Sequence, residues 1–176
     1  PPLPERENDA WCGRPLPPQA KLRLVWGKGI TARGSNVATS TEQRFNYQVR
    51  APFTAEFSCE RERANAPCMP IRPLVLRFST PVPRALAAAV RLKPAVGGTA
   101  LAPSFDKDDQ AEHLGEVQFK GLLPERAGFT IELPAGLKDL SGRPLANAAS
   151  FPLKVSTGDA PPIAKFAAAP FGVLEW

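Results

Sequence analysis

Residues 21 to 49 read KLRLVWGKGITARGSNVATSTEQRFNYQV, and residues 128 to 155 read GFTIELPAGLKDLSGRPLANAASFPLKV. Aligned, Gly29-Ile30 falls on Gly136-Leu137, Gly34 on Gly142, Phe45 on Phe151 and Val49 on Val155, an offset of about 107 residues. Each copy runs from an alternating strand through a Gly-apolar step and a polar turn carrying glycine into a second alternating strand. That is a hairpin-like ending whose glycines supply positive φ. Two copies of one domain ending imply tandem domains. The expected organisation is therefore residues 1–50 as the C-terminal part of one domain, 51–157 as a complete domain, and 158–176 as the start of the next. Gly158-Asp159-Ala160-Pro161-Pro162 marks the second boundary. Only Ala51-Pro52 separates two strands at the first, so a stiff junction is expected there.

The same period-two alternation recurs outward from these segments. Leu22, Leu24 and Trp26 alternate with polar neighbours, as do Phe45, Tyr47 and Val49, then Phe53, Ala55, Phe57 and Cys59, then Leu74, Leu76 and Phe78. Val117 and Phe119, Phe129, Ile131 and Leu133, and Phe151, Leu153 and Val155 follow. Short strands at this spacing predict an all-β fold, with immunoglobulin-like β-sandwich domains in tandem. The expected core of residues 51–157 is Phe57, Leu76, Phe78, Phe119, Ile131, Phe151 and Val155, and Trp26 is expected in the core of the first copy. One short helical piece is predicted over residues 84–92, flanked by Pro83 and Pro94. Proline, 21 of 176 residues, excludes long helices.

The net charge of +5 comes from 22 basic and 17 acidic residues that are interspersed, as in Glu60-Arg61-Glu62-Arg63. That predicts a mixed solvated surface rather than a nucleic-acid footprint. No apolar run approaches the roughly 18 residues of a membrane span. The chain begins Pro1-Pro2-Leu3-Pro4 and ends at Trp176, which is read as the cut ends of a fragment. Three cysteines are present. Cys59 and Cys68 bracket a short polar loop at the end of a strand, which predicts a disulfide formed in an oxidising compartment. Cys12 either pairs with a cysteine outside the sequence or stays a buried thiol.

Each pattern that suggests chemistry lacks a required part. Gly27-Lys28-Gly29 with Gly34 follows a strand as a phosphate loop does, but no GK[ST] ending or helix follows. Asp106, Asp108, Gln110 and Glu112 alternate, yet a calcium loop starting at Asp106 needs glycine sixth and glutamate twelfth, where Ala111 and Val117 stand. His113 has no metal-spaced partner, and no serine sits in a G-x-S-x-G elbow. Glu56, Glu60, Glu132 and Asp139 are the carboxylates available for a glycosidase pair, and a surface role is expected for them. Trp11 and Trp176 remain open between sugar stacking and packing. Catalytic, cofactor-binding and metal-binding residues are all expected to be absent.

The run Leu22 to Ile30 (LRLVWGKGI), the stretch Ala51 to Arg61 (APFTAEFSCER), the segment Ala66 to Ile71 (APCMPI) and the tail Ala164 to Gly172 (AKFAAAPFG) together resemble the N-terminal part of bacterial alpha-2-macroglobulins. Within that, Leu74 to Val82 and Gly136 to Gly142 are similar to bacterial Ig-like domains of surface-layer and adhesion proteins. The resemblance implies a periplasmic or cell-envelope endopeptidase inhibitor of stacked β-sandwiches that traps proteases after cleavage of a bait segment. In many members a Cys-x-Glu-Gln thioester then captures the protease. None of Cys12, Cys59 and Cys68 is followed by Glu-Gln, so that role is not carried over, and the bait segment is not located. The implied role is a scaffold module, its partners being adjacent domains of the parent chain and, through the full-length parent, proteases. A binding module of an adhesin is the alternative, and an accessory domain of a glycosidase a third.

Overall fold

The computed structural model describes residues 16–106 and 110–161. The chain divides between Pro52 and Phe53 into two compact units. In the first, β1 (Lys21–Trp26) pairs antiparallel with β2 (Gln43–Gln48), Leu22 opposite Tyr47 and Leu24 opposite Phe45. Gly29 and Gly34 take φ values of 84° and 81° in the connection, a region open to glycine at little cost. Among the described residues of this unit the ribbon is a single layer. Its apolar face is consequently wet, with Leu24 at 49% exposure, Trp26 at 45% and Phe45 at 42%. The expectation that Trp26 is a core residue is corrected: alternation groups Leu22, Leu24 and Trp26 on one face, but burying that face takes a second layer.

In the second unit β3 (Ala55–Cys59), β4 (Leu74–Pro83) and β6 (His113–Phe119) form one antiparallel sheet, with β4 in the middle. A register shift between Arg77 and Val82 marks a bulge in β4. A second sheet holds β5 (Arg91–Pro94), β7 (Gly128–Glu132) and β8 (Leu153–Ser156), with β7 in the middle. The architecture is all-β, as expected. Side chains from both sheets meet in one core cluster: Leu74, Leu76, Val117 and Phe119 from the first, Leu92, Phe129 and Ile131 from the second, with Phe53 beside them. Of the expected core, Leu76, Phe78, Phe119 and Ile131 are buried, whereas Phe57, Phe151 and Val155 are only partly covered and pack on its edge.

The helical expectation over 84–92 is half corrected. The helix α1 covers Arg84–Ala88 and buries Ala87, but Arg91–Pro94 is strand β5. Leu92 faces Ile131 in β7 and is fully buried, and that packing outweighs the helical preference of the alanine run before it.

The internal repeat has a structural counterpart. Gly136 and Gly142 also take positive φ, 72° and 74°, and the bridge Thr31 to Ala38 recurs as Lys138 to Pro144. The strand register differs by two residues: Leu24 faces Phe45, whereas Ile131 faces Leu153 rather than Phe151. A two-residue slip keeps every side chain on its original face, so the apolar face survives.

Candidate functional site

Three polar devices tie the edges of the second unit together. The first is the disulfide Cys59–Cys68, with Cα atoms 5.6 Å apart. Cys59 closes β3 opposite Leu74 at the start of β4. Cys68 is 1% exposed and forms a parallel bridge with Thr157, just past β8, donating its N–H to Ser156 O (2.9 Å) and accepting from Gly158 N (2.9 Å). One bond thus joins the two sheets. Thr157, also buried, donates its hydroxyl to Pro124 O (2.6 Å) and accepts from Ala127 N (3.1 Å), so no polar atom is stranded there.

The second device lies toward the other end of β4, some 20 Å along the strand at about 3.3 Å per residue. The Asp139 side chain is fully buried, and Oδ1 accepts from Ser141 N and Arg143 N, both at 2.9 Å. Oδ2 accepts from the Arg143 guanidinium at 2.7 Å, which also reaches Thr80 Oγ1 (3.2 Å) on β4. Leu140 N donates to Pro81 O (3.2 Å). Burial alone would raise the Asp139 pKa. The hydrogen bonds from the Arg143 backbone and side chain and from Ser141 outweigh it, and the net shift is downward.

The third is Asn147, which acts as a strand partner for the edge of β3. Ala55 N donates to Asn147 Oδ1 (3.1 Å), and Asn147 Nδ2 donates to Ala55 O (2.8 Å). Ala146 N adds a bond to Phe53 O (2.8 Å). At Ala55 this occupies the outward-facing donor and acceptor that a foreign strand would use.

The residues weighed for chemistry are dispersed by the fold. Lys28 and its neighbouring glycines sit in an exposed turn held by Thr39, whose hydroxyl donates to Gly27 O (2.7 Å) and accepts from Ile30 N (3.0 Å). Asp106 pairs with Lys120 (2.9 Å), while Asp108 lies outside the described residues. His113 opens β6. Glu60 pairs with Arg72, Glu132 with Lys93 and Asp139 with Arg143, so three of the four weighed carboxylates have a cation beside them, and Glu56 lies opposite Arg77 in the ladder. Among the described residues no group of three or more His, Cys, Asp or Glu side chains is placed to hold a metal ion. Cys12, Trp11 and Trp176 lie outside the described residues. No described helix is long and apolar enough to cross a membrane.

Sequence reasoning treated Asp139 as one more surface carboxylate and passed over Asn147. The available signal was the D-L-S-G-R spacing, an acid two residues before a serine and four before an arginine, which suits an Asx-type turn closed by an ion pair. No family model, curated protein or solved structure matches the chain.

Proposed function

We propose that residues 51–157 form an immunoglobulin-like β-sandwich that serves as a scaffold module in an exported, alpha-2-macroglobulin-like protease-trapping protein of the bacterial periplasm or cell envelope. Residues 1–50 are then the closing part of a preceding domain of the same kind, and 158–176 lead into another. The observation that carries the scaffold role is the joining of two sheets at separated points, by the Cys59–Cys68 bond and by the Asp139–Arg143–Thr80 cluster. Cross-linked in this way, the unit resists shear between its own sheets. The disulfide supports export. The wet apolar face of β1 and β2, read against its buried counterpart on β7, supports the assignment of residues 1–50 to an incomplete domain. The family assignment rests on the sequence resemblance.

The test mixes the 176-residue chain and its full-length parent separately with a general protease and follows cleavage of a bulky protein substrate. Protection by the parent alone is expected. Protection by the chain itself, or by neither, overturns the reading, and in the latter case tandem copies of the unit beside a cell-wall anchor would favour the adhesin.

A further inference from the structure

The ring closed by Cys59 and Cys68 presents a row of exposed residues, Glu60 to Asn65, with two arginines among them. The arginines are not equivalent. Arg61 is folded back on the ring, its Nε donating to Cys59 Sγ (3.2 Å) and its guanidinium to Ala64 O (3.4 Å). Arg63 is exposed, and its guanidinium has no hydrogen bond or ion pair among the described residues. The backbone of the loop holds itself weakly: Ala66 N donates to Arg63 O (2.9 Å), and the base is pinned by Met69 N donating to Glu60 O (2.9 Å).

We propose that this ring is a processing site for a trypsin-class serine endopeptidase, which hydrolyses the Arg63–Ala64 bond. Such an enzyme takes a free guanidinium into a pocket floored by a carboxylate and needs several residues drawn out as an extended strand. Residues 61–66 reach that shape by giving up the loop's own bonds, with no strand of either sheet unpaired. Three other described cations of the unit are held differently. Lys138 is followed by the fully buried Asp139, Lys154 lies within β8 beside residues paired to β7, and Arg126 is ion-paired with Asp159. Local opening, not mere exposure, sets the rate of cleavage of a folded chain.

Hydrolysis adds one water across the bond, leaving a carboxylate on Arg63 and an amine on Ala64. Neither piece departs, because Cys59 stands on one side of the cut and Cys68 on the other. The disulfide spans the cut, so the nicked form stays one covalent body for as long as the bond is oxidised. The inference stands apart from the role of the parent: the ring and its arginine are features of this chain.

The experiment exposes the oxidised 176-residue chain to a small amount of trypsin under native conditions and labels newly formed α-amines over time. The amine of Ala64 is expected roughly tenfold or more ahead of those of Ala127, Asp139 and Val155, as fits a loop that opens more readily than the sheets. The product stays whole until a reductant separates pieces ending at Arg63 and starting at Ala64. Arg63→Gln abolishes that amine and Arg61→Gln keeps it, with circular dichroism confirming that both variants fold. A first amine at Glu62, Asp139 or Val155, or an Ala64 amine that appears only in step with those of the strands, overturns the proposal.

Discussion

Replacing Asp139 with alanine puts the buried cluster beside β4 to its most direct test. The carboxylate is fully buried and accepts from Ser141 N, Arg143 N and the Arg143 guanidinium. Truncation removes the acceptor that serves the Ser141 and Arg143 N–H groups and takes the carboxylate away from a partly buried guanidinium. Removing one member of a fully buried ion pair costs about 3–5 kcal/mol, and the partial exposure of Arg143 puts this case at the lower end, about 3 kcal/mol. In a domain near 100 residues each kcal/mol moves Tm by about 4 °C, so a fall of about 12 °C is expected at pH 7. Asp139→Asn keeps an acceptor for the two N–H groups but turns an amide toward the guanidinium, and an intermediate loss of about 2 kcal/mol follows. Urea and thermal unfolding of the oxidised chain, followed by circular dichroism, measure both. A loss below about 1 kcal/mol for Asp139→Ala would refute the reasoning.

The same carboxylate sets a pH signature. Its pKa in the folded state is lowered, so its contribution is present above the unfolded value near 3.9 and is lost as pH falls through the folded value. The stability gap between the native chain and Asp139→Ala should therefore be constant from neutral pH down to about pH 5 and close only below about pH 4. A gap that closes between pH 5 and 7 would mean that another group controls the turn.

Reducing the Cys59–Cys68 bond should cost about 2.5 kcal/mol, the closure entropy of a loop this short, and equal urea midpoints for oxidised and reduced chains would contradict that. Asn147→Ala removes two bonds to the backbone of β3 and should cost about 2 kcal/mol, with faster amide exchange at Ala55; unchanged exchange there would show that the edge is covered by something else. Ile131→Ala should cost about 2–5 kcal/mol, whereas the equivalent change Leu24→Ala on the exposed ribbon should stay within about 0.5 kcal/mol. Similar losses at the two positions would show that the face of β1 is covered after all.

What was legible in the sequence, and what was not, follows from what alternation encodes. A period of two says which side chains share a face, and β3, β4, β6, β7 and β8 were found that way. It does not say what lies across from the face. Trp26 and Ile131 read alike, yet one is wet and the other is the centre of the core. Strand β5 escaped because only four residues, Arg91–Pro94, carry it, and the alanines ahead of them favour helix. The disulfide was visible because cysteine chemistry leaves few alternatives at a loop closing a strand. Asp139 was hidden because burial, which makes a carboxylate demanding, has no mark in a linear string.

The two copies of the repeat show why the turn chemistry was the hardest part to read. Both carry the glycines at matching places, and both bridge the chain across the turn. What holds each turn differs. The second uses Asp139, reaching forward to Ser141 and Arg143. The first has Ala32 where the offset would put that acid, and it relies instead on Thr39, from the far side of the turn, bonded to Gly27 and Ile30. Glycine is kept because positive φ leaves few substitutes, while the polar groups that satisfy the turn's backbone can come from either arm. A repeat of this kind therefore transmits its backbone faithfully and its hydrogen-bond donors and acceptors loosely. Side-chain roles read from one copy cannot be copied onto the other without tracing where each backbone N–H and C=O finds its partner.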